Sequence, residues 1–180
     1  MNIAIIPHND DEALFLAYTL MREKPLVVIV TDSFIQPERG DVGCSADERR
    51  IETMWAMDLL GCPVVFLGIK DTELNEELLK RRLKPFVGLG FEKVYAPAIQ
   101  GGNVQHDIIG SVARYVFPSI TRYTTYTKTE LWTKGDIEIV PTEEEKALKI
   151  KALECYKSQI MLPSTRPHFE AVINKSEFFV

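Results

Sequence analysis

Short β-branched runs alternating with longer amphipathic stretches predict an α/β fold: a mostly parallel sheet with helices on both faces. Two observations carry this expectation. Residues 3–6, 26–30, 64–67 and 93–96 are brief apolar runs without alternation, the pattern of strands buried on both faces. Longer stretches with helical spacing separate them, and strand–helix–strand in this cadence implies right-handed crossovers between parallel strands.

The elements follow in order. Ile3-Ala4-Ile5-Ile6 reads as the first strand, and residues 11–22 as a helix with Leu14, Ala17, Tyr18 and Met21 on one face. Leu26-Val27-Val28-Ile29-Val30 is a second strand, stopped by Thr31-Asp32, and a polar loop is expected over residues 33–45. Ser45 with Glu48 forms a capping box for a helix to about Leu60, where Gly61 is the stop. A third strand at 64–67, a helix over 72–87, a fourth strand at 93–96 and a helix over 105–117 follow. The Thr- and Tyr-rich stretch 121–132 and the run Ile137-Glu138-Ile139-Val140 suggest added strands with an antiparallel edge near the C-terminus. Pro141-Thr142, ahead of three glutamates, opens a last helix to about Ile160, its acids favourably placed in the first turn. This is a Rossmann-like arrangement.

Composition narrows the function classes. A chain of 180 residues with 46% hydrophobic and 26% charged residues suits one compact domain, 1–180, without repeats or interdomain linkers. A net charge of −5, from 21 basic and 26 acidic residues, argues against broad nucleic-acid or membrane-surface binding. Cys44, Cys62 and Cys155 form no C-x-x-C pair, so neither a disulfide framework nor a cysteine zinc site is indicated. No apolar run is long enough to span a bilayer, and the N-terminal residues carry no signal-peptide pattern, so a cytoplasmic protein is expected.

In open parallel sheets, ligands bind outside the carboxyl ends of the strands. The conspicuous polar residues follow the strands: Pro7-His8-Asn9-Asp10-Asp11-Glu12 after the first, Thr31-Asp32 after the second, Gly68-Ile69-Lys70-Asp71 after the third, and Gly101-Gly102-Asn103-Val104-Gln105-His106-Asp107 after the fourth. Imidazole and carboxylate are ligands zinc prefers, and a catalytic zinc takes three protein ligands plus water. The first loop supplies two ligands with a carboxylate left over as a base, and His106 is the natural third. The competing reading is that these acids merely cap and charge a helix N-terminus.

The same residues resemble the LmbE-like (PIG-L-type) zinc-dependent N-deacetylases. Residues 7–12 are similar to that family's H-P-D-D-E signature, with Asn9 in place of proline. Arg49, Glu52, Ala56 and Leu60-Gly61 resemble its R-x-x-E-x-x-x-A-x-x-x-L-G helix, and Gly68-Ile69-Lys70-Asp71 resembles its acidic loop after the third strand. Asn103-Val104-Gln105-His106 stands at its H-P-D-H position, and Tyr156-Lys157-Ser158-Gln159 is similar to its late helix ending in S-Q. The resemblance implies a Zn²⁺ ion held by His8, Asp11 and His106, with Asp10 as general base and proton donor to the leaving amine. It implies substrate contacts from Arg49 and Asp71 to an N-acetylated amino sugar, free or in a conjugate. Two departures stand out. Asn9 for proline is expected to loosen the turn without removing a ligand. Asn103 replaces a histidine credited with oxyanion stabilisation; an amide can donate but carries no positive charge, and Arg166 and His168 are candidate replacements.

Other readings are weaker. Paired acids after a first strand also occur in magnesium-dependent phosphoryl-transfer and receiver-like domains, but His8 suits zinc better than magnesium. A relative that binds metal and sugar without turnover is the second alternative. The first loop lacks G-x-G-x-x-G, which argues against a nicotinamide cofactor despite Asp32. Trp55, Trp132, Tyr123 and Tyr126 are expected in the core or sheet rather than as sugar platforms. Oligomeric state is left open, a homo-oligomer included.

Overall fold

The computed structural model describes residues 1–34 and 43–180. Much of the loop expected over residues 33–45 lies outside the described residues. One seven-stranded sheet organises the chain. Its strands are β1 (Ile3–Ile6), β2 (Leu26–Thr31), β3 (Val64–Ile69), β4 (Val94–Pro97), β5 (Thr121–Tyr123), β6 (Ile137–Ile139) and β7 (Glu177–Phe179). Their spatial order is β3-β2-β1-β4-β5-β7-β6. The first five pair parallel, while β7 runs antiparallel to both β5 and β6.

The continuous apolar strands are buried on both faces, alternate residues going to opposite cores. Ala4, Ile6, Val27 and Ile29 face one core, built with α1 (Asp11–Phe15), α2 (Ala17–Glu23), α3 (Ala46–Leu60), α6 (Glu143–Leu153) and α8 (Arg166–Val172). Ile3, Ile5, Val28 and Val30 face the other, under α4 (Glu76–Val87) and α5 (Val104–Val116). A short helix, α7 (Lys157–Ile160), links α6 to α8.

Three expectations need correction. The helix expected over 11–22 is broken at Leu16, whose φ of −136° leaves the helical region. A buried ion pair answers the groups exposed by the break. Glu177 accepts from the Tyr18 and Thr19 amides at 2.8 and 3.1 Å, and Lys149 donates to the Leu14 carbonyl at 2.8 Å. The helix expected from 72 starts at Glu76, because Asn75 supplies the cap. The last helix stops at Leu153, with α7 and α8 following as separate segments. The expected antiparallel edge is present, formed by β7 between β5 and β6.

Helix α3 turns polar side chains inward and large apolar ones outward. Ser45 and Glu48 form the anticipated capping box, yet the inward face carries Arg49, Glu52 and Thr53 beside Ala56, Met57 and Leu60. Ile51, Met54, Trp55 and Leu59 point outward, with Trp55 57% exposed rather than in the core. Trp132 and Tyr123 are built into the sheet region as expected, Tyr123 fully buried and Trp132 packed on Phe178. No helix among the described residues is long and apolar enough to cross a membrane.

Candidate metal centre and its cavity

The chain leaves β1 towards β2 on one side, whereas β4 lies on the other side of β1. The carboxyl ends of β1 and β4 therefore form the switch point where open α/β sheets bind ligands. His8, Asp10 and Asp11 follow β1 there, and Asn103, Gln105 and His106 follow β4. All but the buried His106 line one cavity of about 370 Å³ together with Ser33, Arg49, Asp71, Tyr126, Gln159 and His168.

Three ligand atoms converge in it. His8 Nδ1 lies 3.0 Å from Asp11 Oδ2, His106 Nε2 lies 3.0 Å from the same oxygen, and the two ring nitrogens are 3.2 Å apart. No other such group of three among the described residues brings its ligand atoms together. A tetrahedral zinc with bonds of about 2.0–2.1 Å spaces its ligand atoms by roughly 3.3 Å, so the triangle is the right size to within a few tenths. Hydrogen bonding around it also suits a cation. His8 Nε2 faces Gln105 Oε1, and Gln105 is anchored by its amide nitrogen donating to the Asp71 carbonyl at 3.0 Å. The arrangement favours a proton on Nε2 and a bare lone pair on Nδ1. His106 Nδ1 lies 3.4 Å from Thr125 Oγ1, which leaves Nε2 bare in the same way. Two lone pairs and a carboxylate then meet at one point. Burial would depress the His8 imidazole, but the Asp11, Asp71 and Gln105 oxygens outweigh it and lift it to about 9, so that at neutral pH a proton takes the Nδ1 position a metal would displace it from. Burial would raise the Asp11 carboxyl, yet His106 and His8 hold it far below the usual carboxylate range. Two nitrogens and one oxygen match zinc and related transition metals better than the all-oxygen shell of magnesium.

Asp10 sits beside the triad in a strained backbone. Its φ of 136° is unusual for a side-chain-bearing residue. Glu12 holds it there by accepting from the Asp10 amide at 3.0 Å, while the Tyr156 hydroxyl donates to the other Glu12 oxygen. Asp10 Oδ2 is 3.2 Å from Arg49 Nη2. Burial pushes the Asp10 carboxyl up to about 6, against the pull of Arg49. Arg49 is therefore no surface ion-pair residue: it is 2% exposed and also donates to the Asn9 carbonyl.

Asn9 does not loosen the turn. Its amide donates to Ser33 Oγ at 2.9 Å, its side-chain nitrogen reaches Ser33 Oγ at 3.2 Å, and its side-chain oxygen accepts from Thr53 Oγ1 at 2.9 Å. A buried asparagine thus ties the loop after β1 to the end of β2 and to α3, which a proline could not do. Asp71 does not cap the following helix, whose cap is Asn75. It stands at the cavity wall with Oδ1 buried and without a hydrogen-bond partner, as are Arg49 Nε and Nη1.

Asn103 caps α5, its oxygen accepting from the Gln105 amide at 2.7 Å. Its side-chain nitrogen lies 3.2 Å from the Tyr126 hydroxyl. Tyr126 therefore accepts from Asn103 and can direct its own proton into the cavity. A side chain at Gly102 would collide with the Tyr126 backbone, and one at Gly110 with the Pro97 carbonyl, so both glycines permit the close packing that seats Tyr126 and His106. His168 joins the wall, its ring 4.7 Å from that of Tyr126. Arg166 is not brought to the cavity; it pairs with Glu170 at 2.9 Å on the outer side of α8. Gln105 and Tyr126 are the residues whose roles sequence reasoning missed. Gln105 lay inside a quoted motif, and Tyr126 had no local signal beyond its Thr/Tyr-rich surroundings.

Neither protein-family profiles nor curated sequences match this chain. Solved structures do. A deacetylase complex from the teicoplanin biosynthesis pathway superposes with a TM-score of 0.74 at 18% identity, covering 88% of this chain and 84% of its own. The conserved protein TT1542 from Thermus thermophilus gives 0.72 at 20% identity, covering 99% and 93%. The 4-carboxy-2-hydroxymuconate hydratase GalB of Pseudomonas putida gives 0.70 at 15%, covering 99% and 94%. One teicoplanin deacetylase structure is described as a zinc-inhibited form. The shared property is the fold, across deacetylases and a hydratase.

Proposed function

We propose that this chain is a zinc-dependent hydrolase that removes an N-acyl group, most simply acetyl, from an amino sugar or amino-sugar conjugate. The observation that carries the reading is the 3.0–3.2 Å triangle of His8, Asp11 and His106 at the switch point, with the Asp10 carboxylate beside it. The deacetylases among the structural neighbours support the same reaction class.

His8, Asp11 and His106 would hold the ion, which supplies Lewis acidity and lowers the pKa of a bound water. The chain's own residues do the rest. Arg49 holds Asp10 Oδ2, leaving Oδ1 to take a proton from the attacking water and return it to the departing amine nitrogen. The Tyr126 hydroxyl donates to the developing oxyanion, a role the resemblance gave to the residue at 103. Burial and the Asp11 charge hold Tyr126 well above the ordinary phenol range, so it stays a donor at neutral pH. The unmet donors of Arg49 and the unmet acceptor of Asp71 suit neighbouring hydroxyls of a sugar ring. Cys44 and Cys62 are buried free thiols, in keeping with a reducing, cytoplasmic setting.

Metal analysis and an amine-release assay on a panel of N-acetylated amino sugars test the reading together. About one zinc per chain and zinc-dependent amine release, abolished in Asp10→Asn with metal retained, is the expected result. Bound magnesium without zinc, or a zinc-loaded chain that releases no amine, would end it. A second reading has one specific support: a hydratase of unsaturated carboxylic acids shares the fold over 99% of this chain, and unmet Arg49 donors also suit a carboxylate. Water addition to an unsaturated dicarboxylate, with no amine release, would favour it.

A further inference from the structure

Two strand exits run side by side next to His106. Pro97 pairs with Tyr123 at the end of the β4–β5 ladder, and beyond it the Ala98 amide donates to the Tyr123 carbonyl at 2.8 Å. Residues 98–100 and 124–126 therefore leave the sheet together. The Asp107 carboxylate, one residue past His106 on α5, holds the first of these segments. It accepts from the Gln100 amide at 2.9 Å and from the Gly101 amide at 3.1 Å. From there the Gln100 side chain reaches across to Thr125 and Thr133.

The polarity of these bonds is fixed from one end. A backbone amide can only donate, so the Gln100 atom 2.7 Å from the Thr125 amide is the side-chain oxygen. That oxygen can only accept, and Thr125 Oγ1 lies 3.3 Å from it, so the Thr125 hydroxyl proton points to Gln100. The other end of the amide, Nε2, donates to Thr133 Oγ1 at 2.7 Å, and the Thr133 hydroxyl in turn donates to the Thr125 carbonyl at 3.3 Å. With its proton directed to Gln100, Thr125 Oγ1 has only a lone pair to offer His106 Nδ1 at 3.4 Å. Thr125, Thr133 and His106 are buried, and reversing any of these bonds would leave a buried group unmet.

We propose that Gln100 is a positioning residue of the metal centre: by taking the Thr125 hydroxyl proton it keeps the His106 proton on Nδ1 and presents a bare Nε2 to the ion. The assignment rests on His8, Asp11 and His106 being metal ligands and is independent of the reaction carried out there. The bond to the Thr125 amide also steadies the segment that carries Tyr126 to the cavity wall.

Competition for zinc between the full chain and a chromophoric chelator tests this, with urea unfolding of the metal-free forms alongside. Gln100→Leu frees the Thr125 hydroxyl to donate to His106, and Thr125→Val removes that hydroxyl. Each should weaken zinc binding about 10–100-fold, the range for lost outer-shell partners. Gln100→Glu keeps the acceptor for Thr125 and should bind zinc within about threefold of wild type, although a new half-buried charge lowers its stability. A merely structural role would instead make zinc affinity follow stability. Adding Gln100→Leu to Thr125→Val should cost less than about threefold more, since the hydroxyl through which Gln100 acts is already gone. Thr125→Val, close to threonine in shape, carries the test should Gln100→Leu fail to fold. Wild-type zinc affinity in Gln100→Leu or in Thr125→Val would overturn the proposal. So would a Gln100→Glu chain as weak as Gln100→Leu, or losses that multiply in the double variant. Amine release is not the readout, so failure of the deacetylase reading and failure of this role for Gln100 are distinct results. A wild type that takes up no zinc would end the metal centre and this role together.

Discussion

The buried pair that mends the α1–α2 break offers a test of the fold. In Glu177→Ala, the Tyr18 and Thr19 amides and the Thr19 hydroxyl lose their common acceptor, and Lys149 loses a partner 3.8 Å away. Both charged side chains are 1% exposed, so water cannot substitute. Removing one member of a buried pair costs about 3–5 kcal/mol, and a buried donor left unmet costs about 1–3 kcal/mol. These figures overlap, so a loss of about 4 kcal/mol is expected, or a fall in Tm of roughly 8–16 °C for a chain of this size. Urea and thermal unfolding of the metal-free protein would measure it. The pH dependence adds a second check. Burial pulls Lys149 down from 10.5 to about 8, Glu177 resisting. Between those values the unfolded chain binds more protons at this residue, so its contribution to stability rises as pH rises. Below about 8 the penalty is constant. Lys149→Met should therefore show a smaller rise, or a steeper fall, than wild type between pH 8 and 10. A Glu177→Ala chain within 1 kcal/mol of wild type, or identical pH slopes for wild type and Lys149→Met, would refute the reasoning.

Three further outcomes follow from the cavity. Gln105→Leu removes the acceptor that sets the His8 tautomer, and outer-shell losses of this kind weaken metal affinity about 10–100-fold; competition with a chromophoric chelator would measure it. Asn9→Pro strips the metal loop of its bonds to Ser33 and Thr53. It should cost roughly 2–3 kcal/mol in urea unfolding, whereas equal or greater stability would show that the loop does not need those ties. Tyr126→Phe should lower kcat about 10²–10³-fold, as expected for a lost oxyanion donor, with zinc content and KM unchanged; an unaltered kcat would remove Tyr126 from the reaction.

Much of this was legible in the sequence. Apolar runs without alternation mean strands covered on both sides, and that local pattern identified the first four strands and the parallel sheet. The side-chain types that meet after β1 and β4 were also legible: the switch point is a consequence of strand order, and imidazole and carboxylate are recognisable wherever they stand. Arg49 and Asp71, singled out in the sequence, both stand at the cavity wall, but their settings were not predictable. A guanidinium beside acids on a helix reads as a surface pair until the helix is docked on the Asn9 loop.

Other features depended on partners far away in the chain. The break at Leu16 exists because Lys149 and Glu177 arrive from α6 and β7 to meet its open carbonyl and amides. Strand β7 has only three residues, too few for periodicity to show, and its place between β5 and β6 is set by pairing alone. Periodicity could not say which side of α3 faces inward, because both sides carry apolar residues and the buried side is rich in polar groups whose partners lie in α7 and the metal loop. Sequence by itself determined the sheet and the chemistry available at its carboxyl edge. Tertiary structure decided the backbone strain at Asp10, the meeting of His8, Asp11 and His106, the place of Tyr126 at the cavity wall and the outward apolar residues of α3, since each depends on contacts between segments that local pattern does not encode.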